Sequence, residues 1–107
     1  MKKGQNLYHR QERVQKLMAH IKIRLFANIR EIVGERELFL DSTNISGVLD
    51  MLTSMKPDLR DVLFEDGALR PYITILLNGR NINEIDGVMS TLSEGDEVAI
   101  FPPVSGG

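Results

Sequence analysis

Ile21-Lys22-Ile23-Arg24-Leu25 alternates apolar and basic side chains. A period of two puts the apolar set on one face of a strand and the charged set on the other, so this stretch predicts a half-buried strand. Phe26 follows out of phase with Ile21, Ile23 and Leu25, on the opposite face. Ala27 to Gly34 reads as a turn or short helical loop ended by glycine, and Glu37-Leu38-Phe39-Leu40-Asp41 as a second strand. So short a link favours an antiparallel hairpin. Asp41-Ser42-Thr43-Asn44 is a cluster of capping residues, and Ile45, Val48, Leu49 and Leu52 behind it have helical spacing. The main helix is therefore predicted to start at Asn44 as N-cap and to end near Met55, ahead of Lys56-Pro57. Met51 and Met55 fall at the edges of its apolar stripe and read as flexible core filler. Pro57-Asp58 opens a second short helix with Leu59, Val62 and Leu63 inward, and Asp66-Gly67 is a turn signal.

Tyr72-Ile73-Thr74-Ile75-Leu76-Leu77 is nearly all apolar or β-branched, which predicts a central strand buried on both faces. Asn78-Gly79 is a tight-turn dipeptide. Ile82 is expected to begin a short edge strand, Gly87 and Leu92 to Asp96 to form turns, and Glu97-Val98-Ala99-Ile100-Phe101 to be the last strand. A strand hairpin, a helix and further strands make an α+β arrangement with the helix over one sheet face. With the first and last strands side by side at the centre, they run parallel and the helix fills the concave face. That is the β-grasp architecture, a mixed sheet of four to five strands.

Composition narrows the chemistry. The 107 residues suit one domain, and the absence of cysteine excludes disulfides, thiolate metal sites and a cysteine nucleophile. No apolar run reaches the ~20 residues of a membrane helix. The N-terminus has charge but no apolar core segment, so no secretory signal is read there, and a cytoplasmic location is expected. Charge is uneven: residues 1–20 hold five basic residues against one acid, a net of +4, and the remainder holds eight against fourteen, a net of −6. An acidic body argues against nucleic acid and for a partner with a basic surface. Val14, Leu17, Met18 and Ile21 have helical spacing, but a helix that short is marginal in water. The expected layout is a flexible basic extension over residues 1–20, a domain over 21–101 and a tail over 102–107, with Met18 an alternative start. His9 and His20 lack neighbours at ligand spacing and read as solvated side chains.

The chain stops on Phe101-Pro102-Pro103-Val104-Ser105-Gly106-Gly107. A residue before proline is biased towards an extended conformation, and prolines have no N–H for a ladder, so the strand should stop here. The stretch reads either as a frayed terminus or as a short extended arm with a bare main chain at its tip.

Three stretches resemble the ubiquitin-like sulfur carriers, specifically the small subunit of molybdopterin synthase (MoaD) and the archaeal small modifier proteins. They are Leu25-Phe26-Ala27 with Arg30-Glu31 and Gly34, then Leu77-Asn78-Gly79, and above all Leu92 to Gly107, LSEGDEVAIFPPVSGG. The likeness covers about residues 21–107. It is looser to the thiamine-pathway carrier, which FPPVSGG fits poorly. It implies a β-grasp domain with a flexible diglycine tail, whose Gly107 carboxylate is adenylated by an ATP-using activating enzyme of the ubiquitin (MoeB-like) type. The adenylate is then exchanged for sulfur, and the thiocarboxylate serves the large synthase subunit (MoaE-like) in molybdenum-cofactor synthesis. The same tail also suits a modifier joined to lysines of target proteins. No bound cofactor is implied, only ATP used by the partner. Phe26 and Phe101 match the family's apolar contact positions. A third contact, just after the Asn-Gly turn, falls on Asn81, or on Ile82 if the turn is one residue longer.

The residues suit that task. Gly106 and Gly107 have no Cβ and allow close backbone approach in a closed site. Pro102-Pro103, leading into Val104-Ser105, limits the arm's unbound conformations and so the entropy lost on insertion. Without cysteine, the terminus is the only obvious sulfur-carrying site. No catalytic triad, metal cluster or phosphate loop is visible, so the chain reads as a carrier rather than a catalyst alone. Arg30 pairs either with a partner or with an acid near the tail, or else locally with Glu31 or Glu35. Glu94, Asp96 and Glu97 either steer a basic partner or form a solvated turn.

Overall fold

The computed structural model describes residues 18–103. Its first strand, β1 (Ala19–Leu25), buries Ile21, Ile23 and Leu25 and turns His20, Lys22 and Arg24 to the other face, as the alternation predicts. The strand begins two residues inside the expected extension. The expected turn or short helical loop is a short helix, α1 (Ala27–Val33), which ends, as expected, on Gly34, here in the left-handed region, φ 87°. β2 (Glu37–Ser42) returns antiparallel to β1, with Ile21 opposite Leu40 and Ile23 opposite Leu38.

The main helix, α2 (Ile45–Met55), starts where the capping cluster places it. The Asn44 side chain accepts a hydrogen bond from Gly47 N–H at 2.9 Å. Its stripe of Ile45, Val48, Leu49 and Leu52 is buried against the sheet. The second short helix, α3 (Leu59–Leu63), buries Leu59 and Leu63. Asp66-Gly67 then closes a two-residue hairpin of β3 (Phe64–Glu65) and β4 (Ala68–Leu69), too short to carry any readable period.

The last strands are β5 (Thr74–Leu77), β6 (Arg80–Asn81) and β7 (Glu97–Phe101), and the five-stranded sheet has the order β2-β1-β7-β5-β6. β1 and β7 lie side by side and parallel, with Ile23 opposite Val98 and Leu25 opposite Ile100. This is the β-grasp fold, with α2 over one face. The central strand is β7, which corrects the expectation for Tyr72–Leu77. Tyr72 and Ile73 belong to the preceding turn, where Ile73 N–H donates to Arg70 C=O, and only Ile75 and Leu77 of β5 are buried. Thr74 and Leu76 are half-buried on the open face. Asn78 and Gly79, with φ 51° and 84°, make the two-residue link from β5 to β6. Positive φ at both positions matches the right-handed twist of a hairpin. Beyond it, Ile82 begins a 3-10 turn instead of a strand and is 2% exposed.

Candidate docking face and tail root

One face of the sheet is filled by the helices and the other is open. Parity and register arrange the open face in rows. Phe101 stands opposite Thr74, and the next row runs Glu37, Arg24, Ala99, Leu76, Asn81. Below it come Phe39, Lys22 and Glu97, then Asp41 and His20.

The row nearest the tail holds the main feature. Phe26 leaves β1 in an extended conformation (φ −132°, ψ 152°) and acts as the N-cap position of α1 without a side-chain cap. Ala27 next to it has φ 52°, a left-handed conformation that costs an L-residue about 1–2 kcal/mol. The Phe26 ring stacks on that of Phe101, with centroids 4.2 Å apart and planes 13° from parallel. Both residues are half-buried. The two expected apolar contacts are therefore one unit. The Arg24 guanidinium lies over the Phe26 ring, 5.5 Å from its centroid, and 3.9 Å from a Glu97 carboxylate oxygen. Sequence reading missed Arg24, although period two from Phe26 places it on the same face. Ala99 and Leu76 extend the apolar strip beside it, both half-buried.

Pro102 is half-buried and Pro103 exposed directly beyond the stack. The ladder from β7 to β5 reaches Thr74 opposite Phe101 and stops there. The arm thus starts from the central strand with its last ring clamped. Val104, Ser105, Gly106 and Gly107 lie outside the described residues.

The other candidates divide. Ile82 does not join the docking face: its side chain is in the core, and Arg80 and Asn81 take the surface after the Asn-Gly turn. Arg30 is half-buried one turn from Phe26, where its N–H donates to Phe26 C=O at 3.3 Å. Among the described residues it has no ion pair with Glu31 or Glu35. Glu94 accepts from His20 N–H at 2.9 Å. Asp96 accepts from Ser93 N–H and from Asn78 Nδ2, and Asn78 Oδ1 accepts from Glu97 N–H. These acids therefore bind the final turn to its neighbours. His20 finds across the strands the carboxylate that local spacing does not show, Asp41 at 2.7 Å. His9 lies outside the described residues. Among those described, no group of three or more metal-ligating side chains occurs, and no helix is long and apolar enough to cross a membrane.

The chain is similar to known proteins along nearly all of this framework. The model of the ThiS family matches residues 23–107. Small archaeal modifier protein 3 of Haloferax volcanii is 37% identical over 90 residues, covering 81% of this chain and 98% of that protein. A putative sulfur carrier protein of Archaeoglobus fulgidus is 36% identical, with 81% and 98% covered. The solution structure of small archaeal modifier protein 1 from Methanosarcina acetivorans superposes with a TM-score of 0.77 at 43% identity, over 84% of this chain and 98% of that one. With its β-grasp sheet and the stretch leading to a terminal diglycine, the chain belongs to the ThiS family of ubiquitin-like sulfur carriers and small archaeal modifiers.

Proposed function

We propose that the chain is a carrier whose reactive group is the Gly107 carboxylate, and that it donates sulfur in the manner of the small subunit of molybdopterin synthase. The observation that supports this is the root of the tail. The central strand ends in a clamped aromatic ring and continues into Pro102-Pro103, within a likeness that extends to residue 107. A carboxylate is a poor electrophile until it is joined to a good leaving group. An activating enzyme supplies this from ATP: the carboxylate oxygen attacks the α-phosphorus, pyrophosphate leaves, and an acyl-adenylate forms. Hydrosulfide then attacks the acyl carbon and displaces AMP, and loss of its proton gives the thiocarboxylate. The chain contributes its terminus and a docking face, and the catalytic groups belong to its partners. ATP is bound by the activating enzyme.

Phe26, Phe101, Ala99 and Leu76 form the apolar centre of that face, with Arg24 and Glu97 as its polar rim. Arg30, one turn from Phe26, is placed to meet an acidic group of the partner. In this reading Pro102 to Gly106 thread the partner's closed site and present Gly107.

A second reading is favoured by the relatives themselves, two of which, from Haloferax volcanii and Methanosarcina acetivorans, are named as modifier proteins. In it the same activated carboxylate is captured by a lysine amine, giving an isopeptide bond with loss of AMP or hydrosulfide. Intact-mass analysis of the protein from its own host separates the two. Oxygen-to-sulfur exchange at the terminus is expected for the carrier, and Gly-Gly remnants on lysines of other proteins for the modifier. Removal of Gly106 and Gly107 should abolish ATP-dependent adenylation. Adenylation of the truncated chain would overturn both readings.

A further inference from the structure

The β2 side of the sheet carries a separate surface. Among the described residues, β2 is an edge strand paired only to β1. Its six residues run in unbroken register from Ala19 opposite Ser42 to Arg24 opposite Glu37, with no bulge, proline or lysine to block further pairing. Leu25 N–H donates to Arg36 C=O at 2.9 Å. In an antiparallel pair, bonded and non-bonded positions alternate. The positions of Leu38, Leu40 and Ser42 are therefore the bonded ones, and Glu37, Phe39 and Asp41 turn their N–H and C=O groups outward. No described residue covers those groups.

The same three residues show their side chains on the open face. Phe39 is 56% exposed yet held in place, its ring stacked on His20 at 5.3 Å and 7°. The His20 ring is fixed in turn by Asp41. Glu37, 3.8 Å from Lys22 Nζ, and Asp41, paired with His20, flank Phe39 two residues to either side, and about half of each acidic side chain stays exposed to a further cation. Charge decides the occupant. A second copy pairing β2 with β2 about Phe39 would set Glu37 directly opposite Asp41 of its partner, and like charges so placed repel. A strand with cations at those two places meets both acids, and an apolar residue between them meets Phe39.

We propose that the free edge of β2, Glu37–Ser42, binds an extended segment of a partner protein by strand addition, and that the segment carries Arg or Lys two residues to either side of an apolar residue. Main-chain bonds to Glu37, Phe39 and Asp41 give the attachment, and the two acids give the selectivity. This surface needs neither the tail nor the Phe26–Phe101 stack, so it stands or falls separately from the carrier reading.

The test uses the isotopically labelled full chain and an end-blocked peptide with the core Arg-Thr-Val-Thr-Arg, followed by NMR titration and amide hydrogen exchange. In the free chain the amides of Glu37, Phe39 and Asp41 should exchange rapidly. The peptide should protect them and shift β2 resonances, and a peptide with Glu for both Arg should bind at least tenfold more weakly. The double variant Glu37→Lys, Asp41→Lys should reverse that preference, with its fold checked by an unchanged spectrum at β7. Three results would overturn the proposal: protection of those amides in the free chain by its own segment or a second copy, shifts confined to other faces, or no binding by the Arg peptide.

Discussion

Conversion of Phe26 to leucine keeps most of the apolar bulk and removes the ring. The stack with Phe101 at 4.2 Å is near-parallel and half-buried, and such aromatic pairs contribute about 0.5–1.5 kcal/mol beyond their buried area. Arg24 over the Phe26 ring adds about 0.5–1 kcal/mol at an exposed site. Phe26→Leu is thus expected to cost about 1–2 kcal/mol of stability. Phe101→Leu should cost less, because it leaves the Arg24 contact without a stacked ring but intact. Urea denaturation of the parent, the two single variants and the double variant gives the coupling between the rings directly. The structure predicts about 1 kcal/mol, and coupling under about 0.3 kcal/mol, the limit of ordinary additivity, would refute the stack as an energetic unit. Binding supplies the second half of the argument. An aromatic anchor that is half-exposed when free and covered on docking typically costs 2 kcal/mol or more when truncated, which is about thirtyfold in Kd. On the carrier reading proposed above, Phe26→Ala should therefore weaken association with a large synthase subunit or an activating enzyme by at least that factor in calorimetry. Unchanged affinity would remove Phe26 from the docking face.

Two further substitutions probe the framework that holds this site. Alanine at Gly47 improves helix propensity, but its Cβ would collide with the Oγ of buried Ser42, which donates to Asn44 C=O at 2.9 Å. Gly47→Ala should destabilise by about 1–3 kcal/mol, and Ser42→Ala should relieve much of that loss in thermal melts; no relief would discount the clash. Ala27 is exposed, so packing predicts tolerance there, whereas its φ of 52° predicts that Ala27→Val costs about 1–2 kcal/mol more than Ala27→Gly in urea denaturation. Equal stabilities would exclude backbone strain beside Phe26.

The readable parts of the sequence were those in which one period persists. Ile21 to Leu25 shows its faces at once, and Asn44 with its stripe fixes the main helix to the residue. The opposite parity of Phe26 correctly put it on the open face. Tyr72 to Leu77 was harder, because a continuous apolar run does not say how many strands flank it or which face is covered. Ile82 misled for a related reason. A single apolar residue after a turn can point to the core or to solvent, and here a 3-10 turn directs it inward. The stack itself was invisible in sequence, since it joins the end of β1 to the end of β7, and spacing along the chain does not show that these strands are neighbours. The Arg24 to Glu97 approach depends on which strands are neighbours, and spacing along the chain does not carry that.

The parallel pairing of β1 and β7 has a mechanical consequence. The chain enters β1 at one end of the sheet and leaves β7 at the opposite end, across the four matched pairs from Lys22–Glu97 to Leu25–Ile100. A pull applied through the two ends therefore loads those rungs together, in shear, instead of peeling them one at a time. Anything that drags this domain by its tail against an anchored N-terminal side meets its strongest direction first, and the rate of forced opening is set by the unfolding barrier rather than by equilibrium stability.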